Sequence, residues 1–164
     1  RHTRFRNVTG VQTCALPISA LDWAPQAIAK GQDFGVGVIA ANQRALADPT
    51  RLREMLDNLI DNAIHYSPNG SQISLSLLDV PRCCIQVEDS APVIQPSERM
   101  RIFERFYRIP GTSQHGSGLG LAIVRDIAEL HGAKVFVKAR ARAQGNCFEV
   151  VFPAQCPQKD VSQF

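Results

Sequence analysis

Three glycines alternate through Gly116-Ser117-Gly118-Leu119-Gly120-Leu121, a run that leads straight into a segment with helical periodicity. Glycines spaced this way let backbone N–H groups approach a phosphate closely, and the helix that follows adds the positive end of its dipole. Upstream, Asn58 and Asn62 stand one helical turn apart, and Tyr66 stands one turn further on. At about 100° per residue these three form a stripe beside a second, apolar one made of Leu52, Leu56, Leu59 and Ala63. Asparagine is a mediocre helix former, and Ala or Glu would serve a plain helix better. Its amide oxygen suits a hard cation such as Mg²⁺; a solvated polar face is the plain alternative. Asp89 ends an apolar strand just before a Ser-Ala-Pro loop. A carboxylate there can accept a hydrogen bond from an exocyclic amine such as that of adenine, or it can simply cap a turn. Taken together the three features point to a nucleotide-binding site.

Two better-known glycine loops do not fit. A P-loop requires Gly-Lys-Ser/Thr, which is absent. A dinucleotide fingerprint requires a strand directly before its glycines. Here a long loop rich in Pro, Gly, Ser and Thr precedes them, which suits a lid over a nucleotide.

The elements that must position these residues can be read in order. A helix is expected over 21–30, ended by Gly31, and a strand over 34–40. Asp48 as N-cap and Pro49 as first helical residue open the helix of the asparagines, which runs to Tyr66 and stops at Ser67-Pro68-Asn69-Gly70. Strands follow over 73–78 and 83–88, then a short helix over 97–106, the loop over 109–118, and a helix over 119–131 with Gly132 as its C′ residue. The last strands cover 134–139 and 146–152. This order implies a two-layer α/β sandwich with helices on one face of a mixed sheet.

Composition is compatible with that fold. The 164 residues imply one domain, and 45% hydrophobic content suffices for a core. No apolar run approaches the length of about 18 residues that a membrane-spanning helix needs. Of the formal charge of +3, Arg1, Arg4 and Arg6 supply all the excess within an acid-free stretch, so nucleic-acid binding has no electrostatic support. Residues 8–18, Val8-Thr9-Gly10-Val11-Gln12-Thr13-Cys14-Ala15-Leu16-Pro17-Ile18, resemble the translation of a sequencing adapter. Residues 1–18 are therefore expected to be a disordered artefact, 19–153 the domain, and 154–164 a polar tail. The five cysteines include no C-x-x-C pair, which argues against zinc and for reduced thiols.

The motifs resemble those of bacterial two-component sensor histidine kinases. Asn58-Leu-Ile-Asp-Asn62-Ala-Ile-His65-Tyr66 is similar to the N box of that family. Glu88-Asp89-Ser90-Ala91-Pro92 resembles the G1 box, Ile102-Phe103-Glu104-Arg105-Phe106-Tyr107-Arg108 the F box, and Gly116 to Val124 the G2 box. The resemblance implies the ATP-binding sandwich shared with gyrase, Hsp90 and MutL. It implies Mg²⁺ held by Asn62 beside Asn58, adenine read by Asp89, and the base walled by Tyr66 and Ile94. Arg108 and the lid would reach the phosphates, His65 would stand where Lys or Arg is common, and Gly116, Gly118, Leu119, Gly120 and Leu121 would line the phosphate side. It further implies a cytoplasmic domain of an inner-membrane, homodimeric parent, with a response regulator as partner.

The resemblance also exposes departures. Ala91 and Val93 occupy the two G1 glycine positions. If the backbone at Val93 needs φ > 0, a β-branched residue there costs about 1–2 kcal/mol. A degenerate, non-catalytic docking module is the alternative that this would favour. Asn58 stands where ATPases of the superfamily usually carry a general-base Glu, which favours transfer to a histidine over hydrolysis. None of His2, His65, His115 and His131 has the phosphoacceptor's His-Glu-x-x-Thr-Pro context, so this stretch alone is not expected to autophosphorylate.

Overall fold

The computed structural model describes residues 15–40, 47–78, 82–111, 116–141 and 143–154. Its elements in chain order are α1 (Ala15–Ala29), β1 (Asp33–Ile39), α2 (Pro49–Tyr66), β2 (Gln72–Leu78) and β3 (Cys84–Glu88). A 3-10 turn (Arg101–Phe103), α3 (Gly120–Leu130), β4 (Lys134–Ala139) and β5 (Asn146–Val151) complete them. The sheet runs β1-β2-β3-β5-β4, with β1 parallel to β2 and every other pair antiparallel. This is the expected mixed sheet of an α/β sandwich.

Alternation decides which face the helices cover. Leu75, Val87, Phe148 and Val137 line up across four strands, as do Leu77, Ile85, Val150 and Val135. All but Val135 are buried. Against them pack Leu52, Met55, Leu56, Leu59, Ile60, Ala63 and Ile64 of α2 and Ala122, Val124, Ile127 and Ala128 of α3. The opposite face is polar at its centre: Gln86 donates to Glu149 at 2.6 Å and Lys138 donates to the same carboxylate at 2.7 Å.

The ends of α2 are specified locally. The Asp48 carboxylate accepts from Thr50 N–H at 2.8 Å and Arg51 N–H at 3.0 Å, with Pro49 in the first turn. At the other end, Lys30 Nζ donates to Ile64 O at 2.6 Å and Gln32 Nε2 donates to Ser67 O at 3.0 Å. Carbonyls that a helix terminus leaves without partners are thus satisfied from the α1–β1 connection. Trp23 of α1 donates its indole N–H to Asp57 Oδ1 at 2.8 Å, tying α1 to α2 as well.

Two expectations need correction. Helix α1 starts at Ala15 rather than near Leu21, so positions 15–18, expected to be disordered, form its first turn; residues 1–14 lie outside the described residues. The expected helix over 97–106 reduces to turns and the three-residue 3-10 segment. Ile102 and Phe103 must both face the core, while Phe106 takes φ 64° and bonds to Gly118, and a regular helix cannot do both. Strand β1 is a largely exposed edge that leaves Val36 and Val38 exposed. Most of the lid loop's tip, 112–115, and most of the tail, 155–164, lie outside the described residues.

Candidate functional site

Helix α3 begins where α2 carries its asparagines. A Cβ added at Gly120 would lie 3.1 Å from Asn58 Oδ1 and 3.8 Å from Asn62 Nδ2, so the backbone of the glycine segment rests on the asparagine pair. Asn58 Nδ2 donates to Glu54 O at 2.8 Å, one turn back, which leaves its Oδ1 towards the glycines. Asn62 Nδ2 is buried without a hydrogen-bond partner. One turn further along α2, Tyr66 brings its hydroxyl beside Gly116: a Cβ there would sit 3.7 Å from Oη. The polar stripe of α2 and the glycine segment therefore form one surface.

Gly118 is held by a different neighbour. It takes φ 69°, and its carbonyl accepts from Phe106 N–H at 2.9 Å. The two backbones cross so closely that a Cβ at Gly118 would be 2.9 Å from Phe106 Cα and carbonyl carbon. The expected lid loop over 109–118 is thus held at its base by a backbone bond. Arg108 and the exposed side chain of Phe106 both belong to this base. Leu119 and Leu121 are half-buried at the start of α3, Leu121 against the core.

Asp89 lies at the end of β3 and is buried, 3% exposed. Its Oδ1 accepts three bonds: from Ala91 N–H at 3.0 Å, Asn146 N–H at 2.9 Å and Asn146 Nδ2 at 3.1 Å. Among the described residues no donor to Oδ2 accompanies them. Burial pushes the Asp89 carboxyl above the usual carboxylate range, opposed by the bonds from Asn146 and Ala91 and by the charge of Arg140. A carboxylate with one oxygen saturated and the other without a donor is suited to accept from an incoming N–H group.

Two residues of this arrangement were missed in the sequence. Gly145 takes φ 137°, and a Cβ there would fall 2.0 Å from Asp89 O, so only glycine fits. Asn146, 1% exposed, also accepts from Ile94 N–H at 2.8 Å and donates to Pro92 O at 3.1 Å. Their partners lie more than fifty positions away in the chain, beyond the reach of local pattern. A Gly-Asn pair at the start of a strand is the one available hint.

The structure brings Asn58, Asn62, Tyr66, Gly116 and Gly120 together, and places Ile94 on the loop that follows Asp89. His65 lines a groove between α1 and α2 with Gln26, Lys30, Asp61 and Ile64, and its ring meets Tyr66 edge-on at 5.1 Å between centroids. Val93 has no positive φ, so the expected β-branched penalty does not arise; the only non-glycine residue at positive φ among those described is Phe106. His131 joins two helices. Its Nδ1 bonds to Ile127 O at 2.7 Å and its Nε2 accepts from Asp48 N–H at 3.0 Å, linking the end of α3 to the start of α2. Cys83, Cys84 and Cys147 are buried.

Residues 47–155 match the family described as histidine kinase-, DNA gyrase B-, and HSP90-like ATPase. The chain belongs to that family. Among curated relatives, it is 39% identical over 118 residues to the swarming motility regulation sensor protein RssA of Serratia marcescens, covering 71% of this chain and 24% of that protein. It is 46% identical over 103 residues to the sensor protein QseC of Escherichia coli, covering 63% of this chain and 22% of that protein. Among solved structures, the mycobacterial sensor histidine kinase MprB superposes with a TM-score of 0.75 at 28% identity, covering 91% of this chain and 97% of that one. The chain spans about a quarter of the length of these curated relatives. It is thus a catalytic, ATP-binding domain of the sensor histidine kinase type, with the fold that the order of its motifs implied.

Proposed function

We propose that the domain, residues 19–153, binds Mg·ATP between α2 and the glycine segment and donates the γ-phosphoryl to a histidine on a separate phosphoacceptor domain of its full-length protein. An aspartate of a response regulator would receive it next. The observation that carries this reading is the nearness of the Asn58 and Asn62 amides to Gly120, because it sets a polar helix face beside a phosphate-compatible glycine segment.

The residues fit a Mg²⁺ ion. The Asn62 amide is buried with one end unpartnered, and its O and N exchange places by a half-turn of the side chain. When bound, the ion would neutralise charge on the phosphates. Asp89 Oδ2 accepts the adenine amine, while Tyr66 and Ile94 bound the base. The backbone around Gly116, Gly118 and Gly120 supplies N–H groups to the phosphates, with Arg108 at the lid base within the same region. Asn58, in place of a carboxylate, offers no base to activate water, so positioning and charge neutralisation dominate and hydrolysis is disfavoured. The parent would be a homodimer at the inner membrane with this domain on the cytoplasmic side; among the described residues no helix is long and apolar enough to cross a membrane.

Calorimetric titration of Mg·ATP tests the binding step, with Asp89→Ala as control. Micromolar to sub-millimolar binding that the substitution abolishes is expected. Radiolabelled transfer to a supplied phosphoacceptor domain, with negligible phosphate release by the domain alone, tests the chemical step. A folded protein that takes up no ATP at millimolar concentration overturns the reading.

A further inference from the structure

The base-reading carboxylate does not stand alone. Asn146, at the first position of β5, spends its whole side chain on the loop that begins with Asp89. Its Nδ2 donates to Asp89 Oδ1 and to Pro92 O, both at 3.1 Å, and its Oδ1 accepts from Ile94 N–H at 2.8 Å. Its backbone adds the bond from its N–H to Asp89 Oδ1 at 2.9 Å and one from Asp89 N–H to its carbonyl at 2.9 Å. The amide is thus buried with donor and acceptor ends both used, which fixes which end is which. The close approach is possible because residue 145 is glycine.

We propose that Asn146 is a positioning residue for nucleotide selectivity: by occupying Asp89 Oδ1 and staking the loop at Pro92 and Ile94, it leaves Oδ2 as the one oxygen offered to an exocyclic amine. This rests on the reading of the site as an ATP site and deepens it. Three consequences of the geometry support it. First, Asp89 Oδ1 keeps the N–H bonds of Ala91 and of residue 146 whatever the side chain at 146, so the Asn146 amide adds a third bond to that oxygen and ties it to Pro92 O and Ile94 N–H through one rigid group. Second, the loop from Asp89 to Ile94 has no glycine to shape it, and only one of its backbone donors, Ala91 N–H, bonds within the loop to Asp89. The bonds from Asn146 bridge positions 89, 92 and 94 with a single side chain. Third, Asn146 acts from the β4–β5 hairpin, on the far side of Asp89 from the asparagine helix, so its loss leaves the phosphate side of the site untouched.

The test compares ATP with purine riboside triphosphate, which has the same phosphates and a base without the amine. In the unaltered chain ATP is expected to bind about tenfold tighter, the worth of one well-placed hydrogen bond. Asn146→Ala should bring the two affinities to within about twofold by weakening ATP and sparing the analogue. Asn146→Thr, whose hydroxyl can both donate and accept, should recover part of the preference and serves if the alanine variant does not fold, as judged by circular dichroism. In an Asp89→Asn background the Asn146 substitution should change the ratio no further. An Asn146 variant that keeps the full preference, or loses both nucleotides equally, overturns the proposal. Failure of the unaltered, folded chain to bind either triphosphate would instead overturn the ATP reading itself.

Discussion

Replacing Gly118 with alanine should be the costliest single-methyl change in the glycine segment. Two terms contribute. At φ 69° the residue lies in the left-handed region, which costs an L side chain about 1–2 kcal/mol. The added Cβ would also meet Phe106 Cα and carbonyl carbon at 2.9 Å and Tyr107 O at 3.1 Å. These are backbone atoms and cannot rotate aside as a side-chain tip can. Relieving the overlap means separating the two strands of the lid base and giving up the bond from Phe106 N–H to Gly118 O, worth about 0.5–1.5 kcal/mol. The expected loss is therefore about 1.5–3.5 kcal/mol. Gly116→Ala is the internal control: residue 116 has no positive φ, and the new Cβ would meet only Tyr66 Oη at 3.7 Å, an ordinary contact. That variant should be neutral or gain up to about 1 kcal/mol through the unfolded chain.

Urea denaturation of both variants and the parent, at equal m-value, reads the difference directly. Should the lid base open locally instead, the global loss would be capped, and ATP affinity would fall by about tenfold or more as phosphate donors leave their places. A Gly118→Ala protein within 0.5 kcal/mol of the parent in stability (about the spread of innocuous surface changes) and unchanged in ATP affinity would refute the argument that the backbone crossing closes the lid base.

Three further outcomes are expected. Gly120→Ala should leave the melting temperature unchanged or raise it, since alanine is the better helix former by up to about 1 kcal/mol, yet weaken ATP severalfold by displacing the Asn58 amide, read by calorimetry. Because burial raises the Asp89 pKa in the fold, ionising it opposes folding; its stabilising contribution is full below the ordinary carboxylate pKa and is lost as pH rises through the raised one. Asp89→Asn should accordingly gain stability relative to the parent at neutral pH, with the gap closing as pH is lowered through that window, while losing ATP; denaturation curves across pH check it. Burial chiefly, with Glu149 adding, pushes the Cys147 thiol up to about 12 and the Cys84 thiol to about 11, so iodoacetamide at pH 8 should label neither until urea unfolds the chain.

What could be read in the sequence was whatever local physics specifies. Asp48-Pro49 announces the start of α2, and the structure shows the carboxylate capping Thr50 and Arg51 as that pair implies. The apolar stripe of α2 and the alternation of Ile73, Leu75 and Leu77 are properties of one element, and they decided which faces are buried. The segment after Pro96 defeated the same reasoning. Its mixture of charged and apolar residues has a helical look, but Phe106 is drawn out of helical geometry by a bond to Gly118, a residue beyond the lid loop. Only the position of the partner chain segment decides between a helix and a turn there.

Val93 makes the same point about the site. With glycine missing from a loop that is glycine-rich in similar kinases, the one-dimensional inference was strain, and strain was the main support for a non-catalytic module. That inference assumed that the loop must follow one backbone path. The structure takes another, with Val93 at negative φ and its neighbours held by Asn146 from the opposite hairpin. Conformational freedom within the loop has been exchanged for hydrogen bonds from outside it, and Gly145 admits those bonds by leaving room at Asp89 O. A departure from a motif at one position therefore has to be weighed with the residues that touch it in space. Here those residues are Gly145 and Asn146, and the path of the loop after Asp89 depends on them as much as on the motif.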